Sequence, residues 1–283
     1  MRILLVSDHY PPFIGGAHRQ TQLLGHKLMQ RGHTVAVATV WQPGLPRVQD
    51  DDGVAVHRLG QLRALLPWFA QGSKQRHQPP FPDPVTVWQL RRLLNEFQPD
   101  IVHSYGWFSY SCAAALLGKN IPLLVSARDY AYSCATRTLV HNETDICSGP
   151  ALRKCLACSA HHYGTAKGYT AVAGVYSGHG LLRRKISGVH SISSYVKQIV
   201  GRDFLGAAVA EKQPKRGIVQ AIIPSFREDD RELDKRIDPK LYTYLDALPK
   251  QPFILFVGAL RLVKGLEQLL AAYERLESPP PLV

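Results

Sequence analysis

The N-terminal part of the chain alternates between short, uniformly apolar runs and longer stretches with apolar residues at helical spacing. Arg2 to Ser7 is rich in Ile, Leu and Val and gives way to Asp8-His9-Tyr10-Pro11-Pro12. That is the pattern of a parallel strand covered on both faces and ending in a loop. Gly15-Gly16 follows, and Ala17 to Arg31 carries Leu23, Leu24, Leu28 and Met29 on one helical face. Gly32-His33 stops the helix, and Thr34 to Thr39 is a second β-branched run. Strand, glycine loop, helix, strand predicts a right-handed βαβ unit.

The rhythm continues. Val54 to Arg58, Ile101 to His103, Pro122 to Ser126, Gly188 to Ser193 and Val219 to Ile223 read as strands. Pro84 to Phe97, with Val87, Leu90, Leu93 and Leu94 on one face, reads as a helix, as do Tyr110 to Gly118 and Ser194 to Val200. Alternation of this kind predicts an α/β fold, a Rossmann-like parallel sheet with helices on both faces. Two stretches break it. Gln61 to Pro84, dense in proline, reads as a long surface excursion, and residues 130–168 read as an irregular insertion holding four of the five cysteines. Phe226 to Lys250 is polar and mixed in charge, a connection. Phe253 to Val257 then begins a new strand, followed by Lys264-Gly265 and a helix from Leu266 to Leu276. The expected organisation is a first domain over 1–225, a connection over 226–252, and a truncated second Rossmann-like domain over 253–283.

Composition narrows the setting. With 283 residues, 45% hydrophobic and 20% charged, the chain can bury a sizeable core. Its N-terminal apolar run is too short for a signal peptide or a membrane span, so a cytoplasmic protein is expected, with its cysteines reduced. Thirty-four Lys and Arg against 22 Asp and Glu leave +12, which favours partners that carry phosphate. The basic residues are scattered in short groups without a tract, so no nucleic acid is expected.

Four groups of residues carry candidate chemistry. Gly15 and Gly16 open a helix at the carboxyl end of the first strand, where backbone amides can meet phosphate or sugar oxygens; the alternative is a loop turn without a ligand. His103 ends a strand, where open α/β sheets place ligand contacts, and is either such a contact or a structural histidine beneath the crevice. Cys134, Cys147, Cys155 and Cys158 follow Cys-x12-Cys-x7-Cys-x2-Cys; they hold a structural zinc ion, with an iron-sulfur cluster second, or they are unligated thiols. Leu65, Leu66, Trp68 and Phe69 beside Arg63, Lys74 and Arg76 suit a membrane surface, a flap over a lipid-linked acceptor, or a loop packed on the domain. Cys112, among alanines, reads as packing, and Glu267 and Glu274 as solvated helix positions.

The strand-Pro-Pro-x-x-Gly-Gly start, Pro99-Asp100-Ile101-Val102-His103, and Phe256-Val257-Gly258 with Lys264-Gly265 together resemble glycosyltransferase family 4 over nearly the whole chain. That family comprises retaining enzymes of the GT-B fold, two facing Rossmann-like domains. The resemblance implies that this chain is the acceptor-side domain plus the start of the donor-side domain. It also implies that Gly15 and Gly16 face the cleft. The family often reads His-x-His where this chain has His103 and Tyr105, which puts Tyr105 at the sugar-facing place as a hydrogen-bond donor and a poor base. Arg128 and Asp129 would reach the cleft, Arg128 as a phosphate or carboxylate fork and Asp129 as its orienting partner or an acceptor contact; the alternative is a buried ion pair fixing the loop. Lys264, and with it Arg261, would stabilise the donor diphosphate, although Ala259 stands where the family commonly has arginine.

The implied function is transfer of a hexose from a nucleotide diphosphate sugar to a saccharide or lipid-linked acceptor, with retention and with no cofactor for the step. Peripheral contact with the inner face of a membrane would follow from a lipid-linked acceptor. This chain by itself is expected to be inactive, since catalysis in a two-domain cleft needs both substrates held together. The competing readings are a non-catalytic binding or regulatory module with the acceptor-side fold, and a zinc-knuckled nucleic-acid binder.

Overall fold

The computed structural model describes residues 1–13, 15–62, 78–206, 217–226, 244–258, 260 and 264–283. The chain divides into two compact units, one of residues 1–142 and 146–226 and the other of 143–145 and 227–283.

The first unit is built on an eight-stranded sheet. β1 (Arg2–Ser7) pairs in parallel with β2 (Thr34–Val40) on one side and β5 (Ile101–Tyr105) on the other. β4 (Val54–Leu59) lies beyond β2. Beyond β5 come β6 (Leu123–Ala127), β9 (Ile186–Ser191) and β10 (Val219–Ile222), all parallel. β3 (Val48–Asp51), unforeseen in the sequence, closes the far edge antiparallel to β4; its Val-Gln-Asp-Asp has no apolar pattern because it is an exposed edge. The chain winds outward from β1 through β2 and β4, then returns to β5 and winds the other way. The turnover falls between β1 and β5, so their carboxyl ends frame the crevice where open α/β sheets bind ligands.

Period-two alternation explains the two cores. Ile3, Leu5, Val35, Val37, Val54 and Val56 face one side, where Leu24, Leu28 and Met29 of α1 (Gly16–Gln30) cover them. Leu4, Val6, Ala36, Ala38 and Val102 face the other, under α2 (Pro84–Phe97) and α3 (Phe108–Ala115). α2 starts where expected because the Asp83 carboxylate accepts the Thr86 amide at 2.9 Å and Pro84 needs no partner there.

Two stretches differ from expectation. The described ends of the Gln61–Pro84 stretch are packed inward: Gln61 and Gln78 are buried, the Gln78 amide side chain donates to Thr86 at 3.0 Å, and Asp83 accepts the Leu62 N–H at 2.9 Å. Leu65, Leu66, Trp68, Phe69, Arg63, Lys74 and Arg76 lie outside the described residues. The 130–168 insertion is not irregular throughout. After the short ribbon of β7 (Val140–His141) and β8 (Asp145–Ile146) it holds α4 (Leu152–Tyr163), which Gly164 at φ +81° joins to α5 (Thr165–Lys185). α5 escapes a hydrophobic reading because glycines interrupt its buried face, where Gly168, Gly174 and Gly178 lie among Ala171, Val172, Val175 and Leu182. A Cβ on Gly168 would strike the Ser159 backbone of α4, and one on Gly174 would meet Phe81 at 2.8 Å and the Pro80 carbonyl at 2.9 Å. α6 (Ser194–Val200) follows β9, capped by the Ser193 hydroxyl on the Val196 N–H at 3.2 Å.

In the second unit the expected strand Phe253–Val257 pairs at Ile254, in parallel with Leu282. The Ile254 and Phe256 N–H groups each donate at 2.8 Å, to Pro281 and Val283. α7 (Leu266–Tyr273) lies between, and the Tyr273 hydroxyl donates to the Pro280 carbonyl at 2.7 Å. The C-terminal residues thus return beside the strand as a second extended segment. No residue of α7 is buried, and Glu267 and Glu274 are exposed.

Gly168→Ala should destabilise the chain by about 1–3 kcal/mol, since backbone and not a movable side chain blocks the added methyl. Gly180→Ala, on the open side of α5 with nothing within 4 Å, should stabilise it by about 0.5–1 kcal/mol. Urea midpoints of the two variants should move in opposite directions.

Candidate functional site

The crevice is approached from β1. Asp8 and His9 are buried at its carboxyl end, and the loop that follows delivers Gly15 and Gly16 to the start of α1. Gly15 is extended (φ 173°) and must lack a side chain because the His18 ring packs against it: a Cβ would lie 2.7 Å from His18 Nδ1. Gly16 is exposed, and a Cβ there would meet nothing within 4 Å. No side chain caps this helix and no acidic residue lies in its first turn. Its leading amides and the positive end of its dipole are thereby left to an incoming anion.

Across the turnover, strand register brings His103, Tyr105, Ser126 and His190 onto one face. Tyr105 pairs with Ser126 and Ser126 with His190, while His103 lies two residues before Tyr105. His103 Nε2 is 2.7 Å from the Ser126 hydroxyl, which is 2.7 Å from His190 Nδ1, and His190 Nε2 is 2.8 Å from the Ile223 carbonyl oxygen. A carbonyl only accepts, so His190 Nε2 carries a hydrogen. In the tautomer in which His190 carries its hydrogen on Nε2 alone, Nδ1 accepts from Ser126, and Ser126 accepts from His103 Nε2–H. The chain of hydrogen bonds has one direction, and it leaves His103 Nδ1 as the unprotonated nitrogen. Burial, with the neighbouring His190 ring and the Arg128 guanidinium adding to it, pushes the His103 imidazole down to about 3.

Tyr105 stacks on His103 with ring centroids 4.7 Å apart and shares a hydrogen bond with Thr21 of α1. Burial pushes its phenol up to about 12, so it stays protonated at neutral pH. Arg128 and Asp129 diverge. Arg128 donates to the Ser225 hydroxyl at 2.7 Å with its guanidinium 5.9 Å from the Tyr105 ring. Asp129 accepts from Arg137 at 2.6 and 3.0 Å, and Arg137 also reaches Asp8 at 3.5 Å and lies 5.4 Å from the Trp107 ring. The sequence reading missed Arg137, Ser126 and His190. A serine and a histidine inside apolar strands were the available signals for two of them; Arg137 had none, because its partners are 8 and 129 residues away.

The four cysteines of the insertion are free thiols, each partly buried, and the other three act electrostatically on Cys158. No three of their sulfurs fall within 4.8 Å of one another; among the described residues the one such group of metal-ligand types is His26, Asp51 and Asp52. Asp51 in that group already accepts from Tyr10 at 2.6 Å and Gln22 at 3.1 Å. Cys112 is buried on α3 near Ser104 at 3.5 Å, and burial pushes its thiol up to about 12, in keeping with packing. In the second unit Lys264 is exposed just before α7, and Arg261 lies outside the described residues.

A parallel sheet that turns over beside an uncapped glycine-led helix defines a Rossmann-like domain of the GT-B kind. Residues 15–213 match the glycosyl transferase 4-like domain, and the chain belongs to that family. It is 29% identical over 145 residues to an uncharacterised 42.6 kDa protein of the cps region of Klebsiella pneumoniae, a match covering 46% of this chain and 37% of that one. Its fold is similar to that of sucrose-phosphate synthase from Thermosynechococcus elongatus (TM-score 0.60, 16% identity, 98% of this chain and 60% of the enzyme). It is also similar to an α,α-trehalose-phosphate synthase (UDP-forming) from Burkholderia vietnamiensis (TM-score 0.52, 12% identity, 97% and 60%). The chain therefore spans less than two thirds of each. No helix among the described residues is long and apolar enough to cross a membrane.

The lowered His103 value sets a sign for acid stability. Above about pH 6.5 the ring is neutral folded or unfolded; as pH falls toward about 3 the unfolded chain takes up a proton that the folded one refuses, and stability is lost. His103→Gln should remove about one proton from that dependence, flattening it by ~1.4 kcal/mol per pH unit at most. Denaturant midpoints between pH 6.5 and 4.5, compared by slope, would test this; parallel slopes would refute it.

Proposed function

We propose that the protein is the acceptor-side part of a retaining glycosyltransferase that moves a hexose from a nucleotide diphosphate sugar to a hydroxyl of a saccharide or lipid-linked acceptor. The observation that carries this reading is the start of α1: open at Gly16, uncapped, free of acid and placed where the sheet turns over. Amides arranged in this way are suited to a diphosphate oxygen, on which charge grows as the glycosidic bond breaks. Membership of the glycosyl transferase 4-like family supports the same reaction class, and the UDP-forming synthase of similar fold supports a nucleotide diphosphate as the leaving group.

In this reading the acceptor hydroxyl attacks from the face the diphosphate leaves, and the departing phosphate oxygen takes its proton, so no side chain acts as base and no metal takes part. The protonated Tyr105 fits that assignment, since a phenol raised to about 12 by burial is unsuited to a base's role at neutral pH. Gly15 and Gly16 receive phosphate or sugar oxygens, and His103, Tyr105, Arg128 and Asp129 shape the acceptor side. The family resemblance would assign Lys264 and Arg261 to the donor diphosphate. A lipid-linked acceptor would bring the protein to the inner face of a membrane.

Gly16→Asp separates this from a loop without a ligand. A side chain at Gly16 has room, and an acid at a helix start favours the helix, so folding should be unimpaired. Binding of UDP, GDP or ADP, measured by calorimetry, should weaken about tenfold or more, because a fixed negative charge would occupy the anion's place. Equal binding by the variant, or no nucleoside diphosphate binding by the parent chain, would overturn the proposal.

A further inference from the structure

We propose that Cys134, Cys147, Cys155 and Cys158 close around one zinc ion, and that this ion holds the loop that brings Arg137 to Asp129 and Asp8. The cysteines come from three separate pieces of chain, and three of them fasten the stretch 134–142. The Arg137 N–H donates to the Cys134 carbonyl at 3.1 Å and the Cys147 N–H to the Leu139 carbonyl at 2.9 Å. The Cys158 sulfur meets the Asn142 N–H at 3.4 Å and the Val140 carbonyl at 3.8 Å. On its other side the same stretch delivers the Arg137 guanidinium to the crevice.

The stretch needs a fastening. Arg137, Leu139 and Asn142 all have left-handed backbone, at φ 66°, 57° and 49°, which side chains other than glycine disfavour. Ala135 and Leu139 of the stretch are buried, but the pieces that carry the other cysteines are thinly packed: Ile146 is 87% and Leu152 56% exposed, and Ser159 is the buried residue of α4.

Two of the thiols are engaged by carbonyl oxygens and not by one another. Cys147 donates to the Gly149 carbonyl at 3.6 Å and Cys158 to Val140. When zinc binds, four S–H protons pass to solvent and four Zn–S bonds form, with no change of oxidation state. A thiolate has no hydrogen to give those carbonyls, so both side chains are released to rotate toward the metal. The backbone N–H groups of Asn142 and Ala151, each 3.4 Å from a sulfur, are the donors that metal-bound thiolates accept. The tetrathiolate carries two negative charges, and cations stand beside Cys147. Lys154 donates to Ser148 at 2.9 Å, and Arg202, which also pairs with Asp203 at 2.5 and 2.9 Å, covers Gly149, where a Cβ would lie 2.9 Å from Nη2.

The full chain, purified reduced and without chelator, should contain about one zinc by elemental analysis, and Cys155→Ser and Cys158→Ser less than about a tenth of that. Stripping zinc from the parent chain with a chelator should shift the Trp107 indole N–H resonance, assigned with Trp107→Phe, and restored zinc should return it. That indole donates to Ala131 at 2.8 Å beneath Arg137, so it reports the crevice and not the cysteines. Absence of zinc, iron in its place, or a disulfide among the four would overturn the site; zinc present with an unmoved indole would overturn its link to Arg137. Stripping and refilling need no cysteine variant to fold. Neither readout involves sugar or nucleotide, so this inference fails or holds independently of the proposed reaction.

Discussion

The parallel pairing of β1 with β5 is the constraint on which the rest of the first unit depends. Parallel strands point their carboxyl ends the same way, so every side chain or loop that follows a strand emerges at one edge of the sheet. Because the chain reverses its direction of winding between these two strands, no crossover helix covers the gap; Asp8 follows β1 there, and Tyr105 borders it at the end of β5. Their sequence separation is large only along the chain. In the sheet, β1 and β5 are direct neighbours in register from Ile3 and Ile101 onward.

Around that gap the polar groups are organised in two sets. One is neutral and directional, the His103–Ser126–His190 chain spanning three adjacent strands. The other is ionic, with Arg137 between Asp129 and Asp8. The ionic set joins the cysteine-bearing insertion to the end of β1, so a segment added between strands contributes to the crevice as well as to the surface.

How much of this could be read in advance follows from the range of the forces involved. β1, α2 and α6 were legible to the residue because their signals are local: an apolar run, Asp83-Pro84 at a helix start, Ser193 as a cap. Gly15, Gly16, His103 and Arg128 could be singled out because strand ends are recognisable. The partners of those residues could not. Asp129 adjoins Arg128, yet its charge is met by Arg137, and the choice is made by the turn through 134–137, which has no periodic pattern. α5 was illegible for a different reason, since close contact between helix backbones calls for glycine, and glycine within a sequence suggests a break.

The direction of the histidine chain ties the crevice to the rim of the sheet. It ends on the carbonyl of Ile223, immediately past the outermost strand β10, and two residues before Ser225, which receives Arg128. Were that strand to peel off, His190 would be free to take the other tautomer, Ser126 would turn its hydrogen toward His103, and the nitrogen that His103 leaves unprotonated would change. The donor and acceptor roles along three strands are thus fixed from one end, at the carbonyl that follows the outermost strand.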